Sequence, residues 1–176
     1  MEKKLRNNMI FHGAIVVLLG LLAGIPFGLV LLESMEGEVR AWRMAHLEGL
    51  INGLLVIAVA ASLRRQALPD RSKSILAWSL IAMAYGNVVA STLGALFGVR
   101  GLAPGGPVVN TVVYVIFMLA VVGVFVGMAL VAWGARAAMA DTTVTQVRVD
   151  VSDGPAGASE TADRASRRRR SHRRDS

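Results

Sequence analysis

Four long apolar runs dominate this chain, and they leave few folds open. They are about Met9–Leu32, Ala45–Leu63, Ile75–Gly98 and Val108–Trp133. A hydrocarbon core about 30 Å thick is crossed by about 20 helical residues. Inside lipid every backbone N–H and C=O has to be paired within the protein, and single runs of this length achieve that as helices. The second run is the shortest and carries polar residues. The first is too long for the core of a signal peptide, and Leu32-Glu33-Ser34-Met35 after it offers no small-x-small cleavage site. The expected fold is all-α: an integral membrane four-helix bundle over residues 1–140.

Composition agrees. Hydrophobic residues make up 54% of the 176, more than one soluble core of that size covers. There is no cysteine, which excludes disulfides, thiolate nucleophiles and Cys metal sites. The formal charge of +7 reads mostly as charge flanking a membrane. Lys3, Lys4 and Arg6 precede run 1. Arg64, Arg65, Arg71 and Lys73 lie between runs 2 and 3, and Arg136 follows run 4. The alternate links carry Arg40 and Arg43 among three glutamates, and Arg100 alone. The positive-inside rule then predicts both ends in the cytoplasm. Residues 141–176 are rich in Asp, Thr, Ser, Gly and Arg with no apolar period, so a disordered basic tail is expected. Its Arg167–Arg174 stretch fits a solvated tail or a contact with anionic head groups. Nucleic acid is not an expected partner.

Glycines recur at helical spacing: Gly20, Gly24 and Gly28; Gly49 and Gly53; Gly123 and Gly127. Small residues four apart let membrane helices approach closely, which predicts a tight bundle and a homo-oligomer.

Polar residues at membrane depth are costly and mark function. The second run carries His46, Glu48 and Asn52. On a wheel of about 100° per residue these share one arc with Gly49 and Gly53, opposite Leu47, Leu50, Ile51 and Leu54. A flat ligand held by His46 could lie on the backbone at Gly49 and Gly53. In the third run Asn87, Ser91, Gly94 and Gly98 share a face. Asn87 lies about 18 Å from the inner surface and Asn52 about 10 Å from the outer, in a layer of about 30 Å. The two amides are therefore expected at similar depth, facing one cavity. His12 falls at the inner end of run 1, most of a membrane away from His46, and is expected to bond backbone or lipid. Arg40 and Arg43 precede His46 by two turns and one. They suit the acid groups of a cofactor, or an ion pair with Glu36 or Glu38.

The stretch Ala45-His46-Leu47-Glu48-Gly49-Leu50-Ile51-Asn52-Gly53 and its aliphatic continuation resemble the membrane hydroxylaminobenzene mutases and the related styrene oxide isomerases. Phe11-His12-Gly13, Tyr85-Gly86-Asn87, Ala95-Leu96-Phe97-Gly98, a Gly/Pro-rich third link and Leu130-Val131-Ala132-Trp133-Gly134 extend the likeness, in order, from about Phe11 to Arg136. The resemblance implies a redox-neutral rearrangement of a small aromatic substrate in a bacterial inner membrane. It also implies a homotrimer with ferric haem b held by the histidine matching His46, and a substrate-orienting amide matching Asn52. Asn87 and Glu48 are then pocket groups. The isomerase pattern has an Asp four residues before the third-span Asn and a Tyr four after it. Met83 and Ser91 stand there, so the cofactor carries over better than epoxide chemistry. Two other classes stay open: a non-catalytic membrane haem protein, and a cofactor-free transporter subunit.

Overall fold

The computed structural model describes residues 2–153 of the chain, and the side chains of residues 2–140. The described residues form four helices and no strand: α1 (Glu2–Leu31), α2 (Val39–Ser62), α3 (Asp70–Phe97) and α4 (Val108–Asp153). A 3-10 turn, Leu63–Arg65, extends α2. All four helices are long and apolar enough to cross a membrane. The all-α, four-span architecture read from the sequence is therefore the one observed, and this is a multi-pass membrane protein.

The helices outrun the apolar runs that announced them. α1 begins at Glu2 rather than near Met9, and α3 at Asp70 rather than Ile75. Hydropathy marks where lipid begins, whereas a helix continues as long as its own hydrogen bonds are made. The last helix also outruns its apolar run. α4 continues to Asp153, into the segment expected to be disordered from Asp141. Ala135-Arg136-Ala137-Ala138-Met139-Ala140 is made of strong helix formers and supplies no stop. The rest of the expected tail, 154–176, lies outside the described residues. The chain divides into two compact units, Met1–Ala135 and Arg136–Ser176, and the bundle is the first.

Four spans place the amino end and the 2–3 link on one face of the bundle, here the terminal face. The 1–2 and 3–4 links occupy the other, the loop face. At the terminal face Lys73 pairs with Glu2 at 2.6 Å, joining the first turns of α3 and α1. Trp78 and Trp133 are exposed near the same level, as ring anchors at a membrane boundary are.

Glycine sets which helices touch. A Cβ on Gly49 would fall on the Cα of Gly20, and one on Gly53 would lie 2.7 Å from the Gly13 carbonyl. α1 and α2 thus meet backbone to backbone. On α4, Gly123 lies against the Ser79 carbonyl and Gly127 against Leu80 of α3. Between these seams Met9, Val16, Val56, Leu76, Leu80 and Met83 form the main core. A smaller core at the loop face holds Ala23, Val30, Trp42, Ala45 and Ala95. The apolar part of α4 is only 11% buried against 50% for α3, so most of α4 is left for lipid or a second copy.

The 3–4 link is ordered by one side chain. Gly98, Gly101, Gly105 and Gly106 all take positive φ, where L side chains are strained. Asn110 then bonds three main-chain groups at 2.9 Å: the Gly101 N–H, the Ala103 carbonyl and the Gly105 carbonyl.

Candidate functional site

His46 sits on α2 with its ring turned to α1. Its Nδ1 lies 2.8 Å from the Gly20 carbonyl oxygen. A carbonyl only accepts, so Nδ1 carries the proton and donates it. In a neutral imidazole that leaves Nε2 with the lone pair. Space for the ring comes from Gly24, where a Cβ would lie 2.8 Å from Nδ1. Phe27 stacks over it, ring centroids 6.1 Å apart and 17° from parallel. Pro26, just before Phe27, lies inside α1.

A fixed Nδ1–H on a backbone carbonyl is how protein commonly orients a metal-bound histidine. Among the described residues no three His, Cys, Asp or Glu side chains gather to hold a metal. A haem iron needs only one imidazole from the protein, and His46 has the nitrogen for it.

Gly49 and Gly53 do not offer the flat surface expected of them. α1 occupies it: Gly20 and Val16 lie against Gly49, and Gly13 and Val17 against Gly53. The wheel placed these glycines beside His46, but it could not show that a neighbouring helix fills the same arc. Their work is close approach.

Asn52 is buried and donates Nδ2–H to Glu48 Oε2 at 2.5 Å, one turn earlier on α2. The carboxylate at membrane depth is thus hydrogen-bonded within its own helix. Asn87 reaches only the Met83 sulfur, at 3.5 Å, a weak acceptor. Ser91 donates its hydroxyl to the Asn87 carbonyl at 2.6 Å.

A cavity of about 240 Å³ opens at the loop face between α2, α3, α4 and the 3–4 link. Asn52, Asn87 and His46 are not among the residues that line it. Arg40 and Arg100 are, with Ser91 and Phe117. Arg40 is therefore on this cavity rather than beside His46, while Arg43 is exposed one turn before the histidine.

His12 is tied to α3, not to backbone or lipid. Its Nδ1 lies 3.1 Å from the Tyr85 hydroxyl, with the two rings edge to face and Trp78 at 6.3 Å. Measured along α1, His12 is about 12 Å below Gly20 and about 18 Å below Gly24 at 1.5 Å per residue. The histidines are therefore nearer in depth than the expected span-end placement, yet too far apart to share a ligand.

Sequence reasoning missed Gly24, Phe27 and the Gly20 carbonyl as the seat of His46, and Tyr85 as the partner of His12. A signal existed for the first: Gly13, Gly20 and Gly24 on one run face Gly53, Gly49 and His46 on the next, in antiparallel order.

Compared with known proteins, residues 5–136 match the family model described as styrene oxide isomerase. No curated protein sequence matches the chain.

Proposed function

The chain belongs to the styrene oxide isomerase family, and from that premise we propose that it is a haem b-dependent isomerase or mutase. It rearranges a small aromatic substrate of the hydroxylaminobenzene or aryl-epoxide kind without net oxidation or reduction. Membership supports an isomerase-type membrane protein. The observation that carries the finer reading is the His46 seat, with Nδ1–H held by the Gly20 carbonyl at 2.8 Å and Nε2 left as a donor.

Ferric haem, held by His46, would supply a Lewis acid toward a substrate oxygen. The chain's own groups do the rest. The Gly20 carbonyl holds the imidazole in one tautomer, and Gly24 and Phe27 hold its plane. Arg43, exposed one turn before His46, suits a cofactor carboxylate. Asn52 spends Nδ2–H on Glu48 and keeps Oδ1 to accept a hydrogen bond from substrate. Asn87, tied only to a thioether, can turn its amide to the same end. Among the described residues no other helix lies within 4 Å of a Cβ built on Gly28, which leaves a small-residue surface for a second copy in a homo-oligomer, a trimer by resemblance. Both ends lie in the cytoplasm, on the count of basic residues.

Met83 has no proton to exchange, and the Ser91 hydroxyl is spent on the Asn87 carbonyl. Acid–base help at those two positions is therefore lacking. This favours the hydroxylamine over the epoxide. It also supports a second reading, a haem protein without turnover.

The test is direct. Protein purified in detergent from haem-replete cells should show a Soret band and convert hydroxylaminobenzene with no added reductant. A colourless preparation refutes both haem readings. A Soret band without turnover on hydroxylaminobenzene or styrene oxide supports the second.

A further inference from the structure

The loop-face cavity takes no part in the seating of His46, and three of its features point to one kind of ligand. Its walls include small and aromatic apolar groups, Ala90, Gly94, Ala95 and Phe117. Two exposed cations, Arg40 from α2 and Arg100 from the 3–4 link, share its rim with one carboxylate, Glu38. Among the described residues the ion pair is Glu2–Lys73, at the opposite face, so neither guanidinium is matched to Glu38. The start of α2 is also there. Glu38, in the capping position, makes no side-chain capping bond. Its carbonyl serves the amides of Ala41 and Trp42, and the Val39 and Arg40 amides precede the first helical bond. A helix start of this kind favours an anion.

We propose that this cavity binds a single-ring aromatic carboxylate. The ring lies on the Ala95–Phe117 wall and the carboxylate lies among Arg40, Arg100 and the first turn of α2. A volume of about 240 Å³ falls below the range of about 300–1,000 Å³ that drug-sized ligands occupy, and suits one ring with its acid group. The Ser91 hydroxyl, already donated to Asn87, adds no further donor. Gly20, Gly24 and Phe27, which seat His46, do not line it, and its ligand is proposed to bind whether or not His46 carries a cofactor.

The experiment titrates full-length protein in detergent with benzoate, and with benzyl alcohol as the neutral counterpart, by equilibrium dialysis. Benzoate should saturate one site per chain, with benzyl alcohol about tenfold weaker or worse, because the acid's bonds to guanidinium are charge-assisted. Arg40→Gln combined with Arg100→Gln should weaken benzoate by about tenfold or more, while Arg65→Gln at the other face leaves it unchanged. Both rim arginines are exposed, and the benzoate–benzyl alcohol comparison needs no variant. His46→Ala protein should bind benzoate as the parent does. Equal affinity for acid and alcohol overturns the proposal, as does a double variant with parental affinity. So does loss of binding in His46→Ala, or a co-purified phospholipid on these residues that benzoate does not displace.

Discussion

His46 gives its Nδ1 proton to a main-chain oxygen, the Gly20 carbonyl at 2.8 Å, whereas His12 meets a phenol, the Tyr85 hydroxyl at 3.1 Å. The chemistry of the partner separates them. A carbonyl can only accept, so it fixes one tautomer and leaves the Nε2 lone pair free of a proton. A hydroxyl accepts or donates, so the His12–Tyr85 tie holds α1 to α3 in either tautomer. Two histidines on adjacent helices thus differ: one is held in a single tautomer, and the other is an adaptable strut. Their surroundings follow suit: His46 has a glycine cut out for its ring, and His12 sits among Phe11, Trp78 and Tyr85.

The sharpest way to break this comparison is to exchange the roles. His46→Ala should abolish the Soret band completely, and His12→Ala should keep it. The reverse result in absorption spectra would mean that the wrong histidine has been placed at the iron. Next in size is the seam on which His46 depends. Gly20→Leu drives a side chain into the backbone at Gly49 and Leu50, which helices cannot yield. Overpacking should cost about 1–3 kcal/mol or more, seen as a lowered melting temperature in detergent. Leu119→Ala on the exposed face of α4 should stay within about 0.5 kcal/mol. Equal losses in the two would show that close α1–α2 contact is not what holds the bundle.

A smaller change tests the seat alone. Gly24→Ala puts a methyl 2.8 Å from His46 Nδ1 and should tilt the ring off the Gly20 carbonyl. Disturbing the partner of a ligating histidine typically lowers metal affinity about 10–100-fold, measurable by haem titration. Unchanged affinity would remove Gly24 from the site. Smallest is Tyr85→Phe, which deletes one hydrogen bond at a cost of about 1 kcal/mol and should leave the Soret maximum where it was. A shifted maximum would couple the two histidines.

Much of the fold was legible because lipid is a severe solvent. Runs of about 20 apolar residues have one way to cross it, and four such runs made four helices. The ends were less legible. Nothing in the polarity of Asp70-Arg71-Ser72-Lys73 forbids a helix, and α3 begins there. His46 could be singled out because an imidazole among leucines is costly. Its partner could not, because a main-chain carbonyl carries no letter of its own. Gly49 and Gly53 illustrate the same limit: glycine spacing announces a close approach, but not whether a ligand or a helix makes it. Arg100 and Phe117, on the loop-face cavity, are 60 and more positions from the Arg40 they join, and only the fold brings them together.

The facing glycines of α1 and α2 also bear on how such a protein changes over generations. Gly20 and Gly49 exclude a side chain from each other, so neither can drift to a larger residue while its opposite number stays. Enlarging one gains no room unless the two helices separate along their length, and separation would pull the Gly20 carbonyl from His46. Single steps there lead downhill, while the outward face of α4 meets no other helix of its own bundle. A library meant to reshape this protein's chemistry should therefore leave the α1–α2 seam untouched, and draw its variety from the loop-face walls and the exposed side of α4.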